Sequence, residues 1–177
     1  MRVPVAPLRF WLLILCSGAV SIAAPVRLAG EAWIRGVYTG LSPRTVELPV
    51  DEAWQKATAL AAEHHGAFAV VGTGRSMLPL YQPGTILVLA PVGYDSLRRG
   101  QTAVYRNGRD RLVAHVLIAK ARDGWRAAGL NNRWHDMEPL VADKLLGVVV
   151  AAFRPGKTAS PTLTASVSVP SAAFLVD

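Results

Sequence analysis

The chain has 177 residues, 51% of them apolar and 18% charged, which is enough for one domain with a core and too few for two substantial ones. Its formal net charge of +7 is spread over separated arginines, among them Arg98, Arg99, Arg106, Arg109, Arg111, Arg122, Arg126 and Arg133. Such spacing reads first as a solvated basic face. With no zinc-ligand spacing, helix-turn-helix pattern or aromatic RNA-binding motif beside it, no nucleic-acid partner is expected, and anionic lipid is the better-matched attraction if the domain sits beside a membrane. The single cysteine, Cys16, excludes an intramolecular disulfide framework. No cofactor is expected, and no His/Cys/Asp/Glu spacing calls for a metal ion.

Residues 1–26 read as a signal peptide or a membrane anchor. Arg2 and Arg9 precede Phe10-Trp11-Leu12-Leu13-Ile14-Leu15, the charged-then-apolar order of a secretory signal. Ser21-Ile22-Ala23 has small residues at the spacing for cleavage before Ala24. Left uncleaved, residues 10–26 match the short end of the ~17–25 residues that span a bilayer. Either fate directs the rest of the chain outward, so a periplasmic or other extracytoplasmic location is expected.

Residues 27–50, broken by Gly30, Gly36, Gly40 and Pro43, read as a connecting region with one short strand. Asp51 then reads as a helix N-cap, with Trp54, Ala57, Leu60 and Ala61 at helical spacing and Gly66 as the stop. His64 and His65 fit a cationic cap at that helix end. Short apolar runs follow at 67–71, 86–90, 102–106, 112–121, 125–128 and 145–153, bounded by turn residues. Asn107-Gly108 and Asp123-Gly124 predict two tight hairpins linking the strands between 102 and 128. Residues 154–177, rich in Pro, Ser, Thr and Ala, predict a disordered tail. The expected fold class is therefore mainly β, one domain over 51–153 with one N-terminal helix.

Chemistry concentrates at Ser76, which follows the run 67–71 and the turn-prone Gly72-Thr73-Gly74 and precedes Met77-Leu78-Pro79. A serine hydroxyl is inert near neutral pH until a base within hydrogen-bond reach takes its proton, a contribution of ~10²–10⁴-fold in rate. His115 lies inside the apolar run Leu112-Val113-Ala114-His115-Val116-Leu117-Ile118. Taken singly, such a Ser is usually a turn residue and such a His a hydrogen-bonded core side chain.

The succession Gly74-Arg75-Ser76-Met77-Leu78-Pro79, then Pro83-Gly84, Arg99-Gly100 and Thr102-Ala103-Val104-Tyr105, resembles the sequence boxes of type I signal peptidases and the wider LexA-like superfamily of serine peptidases. The resemblance runs over roughly residues 70–150. It implies a coiled antiparallel β-domain in which Ser76, of a Ser-Met-x-Pro motif, is the nucleophile. It also implies that His115 replaces the lysine base of most bacterial members, as histidine does in the archaeal and endoplasmic-reticulum type. Gly129-Leu130-Asn131-Asn132 followed by Asp136 is similar to that type's Gly-Asp-Asn-Asn and later acidic residue, which makes Asp136 the candidate to orient His115. Met77 corresponds to a residue packed beside the site.

The chain departs from this pattern at Gly84-Thr85, Gly100-Gln101 and Gly129-Leu130, where the family usually has Gly-Asp. Gly74 also stands where signal peptidases commonly place a Ser or Thr oxyanion donor, a group whose loss costs ~10²–10³ in rate. The implied activity is a serine endopeptidase acting on extended polypeptide, with secretory precursors as the implied substrates. A specialised pilin-maturing or self-processing protease stays open beside it, as does a catalytically degenerate module that binds peptides in the same groove. Trp125 and Trp134 read as packing residues, with a groove-framing or lipid-contacting role as the alternative.

Overall fold

The computed structural model describes residues 34–156 and 174–176. The leader or anchor read at 1–26, with Cys16, lies outside the described residues, as do residues 27–33 and most of the expected tail. Among the described residues no helix is long and apolar enough to cross a membrane.

The fold is mainly β. Among the described residues, eight strands, β1 (Thr45–Pro49), β2 (Phe68–Gly72), β3 (Ile86–Ala90), β4 (Thr102–Arg106), β5 (Leu112–Ala121), β6 (Gly124–Ala128), β7 (Leu145–Gly156) and β8 (Phe174–Val176), form one sheet, with a single α-helix, α1 (Val50–Ala62). The sheet order is β6-β5-β4-β7-β3-β2-β8, and β1 pairs with β7. Most pairs are antiparallel; β1 with β7 and β2 with β8 are parallel. β7 is long enough to serve as a spine. Its first half accepts β4, its last residues accept β1, and β3 runs along 148–153.

Strand composition explains the layering. In β5, residues 113–118 are all buried, yet alternate residues enter different clusters. Ala114 and Val116 pack with Val70, Met77, Tyr81, Leu87 and Val149, while Val113 and Leu117 pack with Leu97, Tyr105, Trp125 and Leu140. The helix closes a third cluster by setting Ala53 and Ala57 against Ile86 and Val88. Each fully buried Leu, Ile or Val contributes ~1.5–3 kcal/mol relative to an exposed one.

Several expectations are corrected at their edges. Pro49, not Asp51, is the N-cap; Asp51 and Glu52 occupy the first helical turn, where carboxylates suit the helix dipole. The helix ends before His64 and His65, both exposed beyond the Glu63 C-cap. The β4–β5 hairpin exists, but its loop spans 107–111 and the positive φ falls on Asp110 (58°), because Asn107 Oδ1 accepts from the amides of Arg109 and Arg111 and builds a wider turn. In the next hairpin Arg122 and Asp123 form the loop, and Gly124 starts β6 facing Ala121.

The connecting region read at 27–50 is, from residue 34 on, tied into the domain by polar anchors that an apolar-run reading overlooks. Buried Ser42 Oγ donates to Gly100 O at 2.9 Å and lies 2.7 Å from Thr102 Oγ1, and Tyr81 Oη donates to Pro43 O at 3.0 Å. The tail expected from residue 154 also begins too early. Arg154, Pro155 and Gly156 continue β7 beside β1, and Phe174–Val176 pair with β2. Backbone ladders need no large side chains, so the scarcity of apolar residues did not prevent them.

Candidate active site

The elements described above converge on a segment that joins β2 to β3 and a strand that crosses the sheet beside it. After Gly72 the chain turns through Thr73, Gly74 and Arg75 to Ser76, which is half-buried, and then to Met77, buried in the first core cluster. The Leu78–Pro79 peptide is cis. The loop is fixed through its backbone. Ser76 O accepts the Asn131 amide at 2.7 Å, and Arg75 O accepts Asn131 Nδ2 at 3.2 Å. This apposition requires Gly129, because a Cβ there would stand 2.6 Å from Ser76 O and 2.8 Å from Asn132 Nδ2.

Beside Ser76 lies a pocket of about 20 Å³ lined by Gly72, Gly74, Met77, Tyr81, Leu87 and Ala114. It has room for about one water-sized group. The next residue of β5 turns the other way. His115, 5% exposed, lies opposite Ala103 of β4 and opens onto a second cavity of about 580 Å³.

His115 Nδ1 is 2.7 Å from Asp136 Oδ2, joining residues 21 positions apart in sequence. A carboxylate oxygen accepts, so in a neutral imidazole this contact puts the hydrogen on Nδ1 and the lone pair on Nε2. Asp136 is itself anchored: its amide donates to Ala127 O at 2.8 Å, and its carbonyl lies 2.7 Å from His135 Nδ1. Tyr105, on β4, donates its hydroxyl to the same Oδ2, with its ring edge-on to His115 at 6.5 Å between centroids. Burial, then the Asp136 charge, then the hydrogen bond to it hold the Tyr105 phenol far above its ordinary range, so it stays a proton donor at every physiological pH. Tyr81, under the Ser76 pocket, is likewise pushed up by burial.

Of the residues read from sequence, the structure therefore joins His115 to Asp136. It does not join Ser76 to either: among the described residues no hydrogen bond links Ser76 Oγ to His115. Instead, Ser76 and His115 open onto separate hollows walled by consecutive residues of β5, and the 129–136 segment touches both, through Asn131 on one side and Asn132 and Asp136 on the other. Sequence reading missed Tyr105 as a participant, although its place in an alternating strand paired with β5 carried the signal.

Two departures from the resembled pattern also acquire a role. Thr85 Oγ1 accepts the Gln82 amide at 3.1 Å, and Gln101 Oε1 accepts the Arg98 amide at 2.7 Å. Both positions keep an oxygen that closes its own turn, so a neutral side chain serves there. Leu130, at the third, packs against the first core cluster. Trp125 is buried in the second cluster, whereas Trp134 is 51% exposed on the wall of the His115 cavity. That cavity also carries Arg106, Arg109, Arg111 and Lys144 against Asp136 and Glu138. Glu138 pairs with Lys144 at 3.3 Å. Neither protein-family models nor characterised proteins give a match to this chain.

Proposed function

We propose that the chain is an extracytoplasmic serine endopeptidase of the signal-peptidase and LexA-like type, with Ser76 as nucleophile, His115 as general base and Asp136 orienting the imidazole. The observation that carries the reading is the part-buried His115–Asp136 hydrogen bond of 2.7 Å, which leaves Nε2 facing away from the carboxylate on a strand adjacent to the serine loop. In this scheme His115 takes the Ser76 proton as Oγ attacks a peptide carbonyl. The imidazolium, stabilised by Asp136, then protonates the departing amine, and water releases the acyl group from Ser76 by the reverse proton path.

The two hollows suit the two sides of a scissile bond. The group that protonates the leaving amine must stand on the leaving side, which assigns the larger, cation-rich cavity to residues after the bond. The pocket of about 20 Å³ beside Ser76 then takes the side chain before it, favouring Gly, Ala or Ser. Secretory precursors fit the export signal; a retained N-terminal segment holds the enzyme at the membrane, and a cleaved one releases it outside the cytoplasm.

Hydrogen bonds between nucleophile and base often tighten only with substrate bound. The unlinked Ser76 Oγ nevertheless favours a second reading, a peptide-binding module of the same fold that does not cleave. Purified protein, in detergent or lipid, presented with secretory precursor peptides separates the two. Wild-type cleavage that drops by about 10³-fold or more in both Ser76→Ala and His115→Ala supports the peptidase. An inactive wild type that binds those peptides as well as Ser76→Ala does establishes the module instead.

A further inference from the structure

The edge of β2 is already taken by this chain. β2 gives one edge to β3, and on the other it pairs in parallel with β8, in the register Val70 with Phe174, Val71 with Leu175 and Gly72 with Val176. Gly72 donates its amide to Thr85 O at 2.8 Å and accepts from Gly84 at 2.7 Å, so both its backbone groups face β3. Strand alternation then turns the Val71 amide toward β8. β8 also packs against β5, the strand that carries Ala114 and His115. It thus lies in the slot between the strand that runs into the Ser76 loop and the strand that carries the proposed base.

Its direction matters as much as its place. Parallel pairing sends β8 along β2 toward Gly72 and Gly74, both of which line the small pocket at Ser76. A peptide whose carbonyl is to reach Ser76 Oγ, with its preceding side chain in that pocket, would arrive along this edge in this direction. An open strand edge offers the main-chain groups that recognise an extended peptide, whatever its sequence.

From this placement we infer that β8 is a built-in competitor, an intramolecular strand occupying the edge on which an extended peptide docks on the amino side of its scissile bond. The inference rests on the peptidase reading only for the word scissile; the competition for the edge stands without it. Three residues form few ladder bonds, so β8 is a weak occupant by contact alone. Tethering compensates, because a segment joined to its site by a short chain acts at an effective concentration in the millimolar range. An outside peptide then binds with an affinity reduced by the fraction of molecules whose edge is open.

The test uses the full chain carrying Ser76→Ala, so that nothing is cleaved, and a fluorescent peptide of residues 170–177 as the probe. Val176→Pro removes the β8 amide that faces Val71 O in this register, and Leu175→Pro fixes φ in mid-strand away from its parallel-sheet value; each leaves the cores of β2 to β7 untouched, as circular dichroism checks. The expected result is faster hydrogen exchange at the Val71 amide, a probe affinity about tenfold tighter than in the Leu175 parent, and restored protection of Val71 when the probe is added. Unchanged exchange and affinity in both proline variants, or a probe that binds none of the proteins, overturns the inference. Failure of the peptidase reading is separate: protein with Ser76 intact would cleave no precursor while release of β8 still raised probe affinity. Conversely, cleavage with the same KM in wild type and Leu175→Pro removes the competitor and leaves the peptidase standing.

Discussion

The His115 cluster and the Ser76 loop lie on adjoining segments, yet they are held by different kinds of bond. Around His115 the positioning is done by side chains. The imidazole and the Tyr105 hydroxyl share one carboxylate oxygen of Asp136, and two of the three groups are nearly fully buried. Around Ser76 the positioning is done by the main chain: its carbonyl is pinned by the Asn131 amide, while its hydroxyl makes no bond to the histidine. The histidine side is held by chemistry that point substitutions can remove. The serine side is held by shape, which Gly129 permits.

That contrast can be broken from the histidine side first. Asp136→Asn leaves the volume intact but removes the charge and lets the imidazole adopt the wrong tautomer; kcat is expected to fall about 10²-fold or more, with KM little changed and far-ultraviolet dichroism unaltered. An equal rise in KM would mean that Asp136 serves peptide binding. On the serine side, Gly129→Ala forces a methyl group against Ser76 O and Asn132. It should cost about 1–3 kcal/mol, read as a lower denaturation midpoint, and should lower cleavage through the displaced loop. A variant of undiminished stability would show that the 129–132 turn yields freely and does not hold the serine.

Tyr105→Phe sharpens the comparison more gently. It deletes a part-buried hydrogen bond to a carboxylate, worth about 1.5–3 kcal/mol, while conserving the ring against His115. It also carries a pH signature. Because folding raises the phenol pKa above its ordinary value of 10.0, the unfolded chain releases that proton first as pH climbs, so wild-type stability is full below pH 10 and declines above it. The Phe variant should lose part of this alkaline decline; Tyr81, raised in the same direction, should supply what remains. Equal alkaline slopes in chemical denaturation of the two proteins would mean that Tyr105 is not held neutral by the fold.

Much of the architecture was legible because it is local. The runs at 86–90, 102–106 and 112–121 match β3, β4 and β5 residue for residue, since apolar β-rich stretches between Gly, Pro and Asp need no distant information. Hairpin loops were found but misplaced by a residue or more, because Asn107 Oδ1 builds a wider turn and Gly124 begins a strand. The segment before residue 45 was read as a linker, because its attachments are hydrogen bonds from Ser42 and to Pro43, which leave no hydropathy signal.

By itself the sequence determined a mainly β domain and the order Ser76, His115, Asp136, because these depend on residue identity and on period along the chain. Only tertiary structure decided which of them meet. Antiparallel pairing of β4 with β5 brings Tyr105 near His115, and the Ala127 carbonyl holds Asp136 beneath the imidazole. Alternation along β5 turns Ala114 toward the serine pocket and His115 toward the other cavity. Strand register selects the face on which each side chain appears. Register is set by partners far away in sequence, which is why no local reading could supply it.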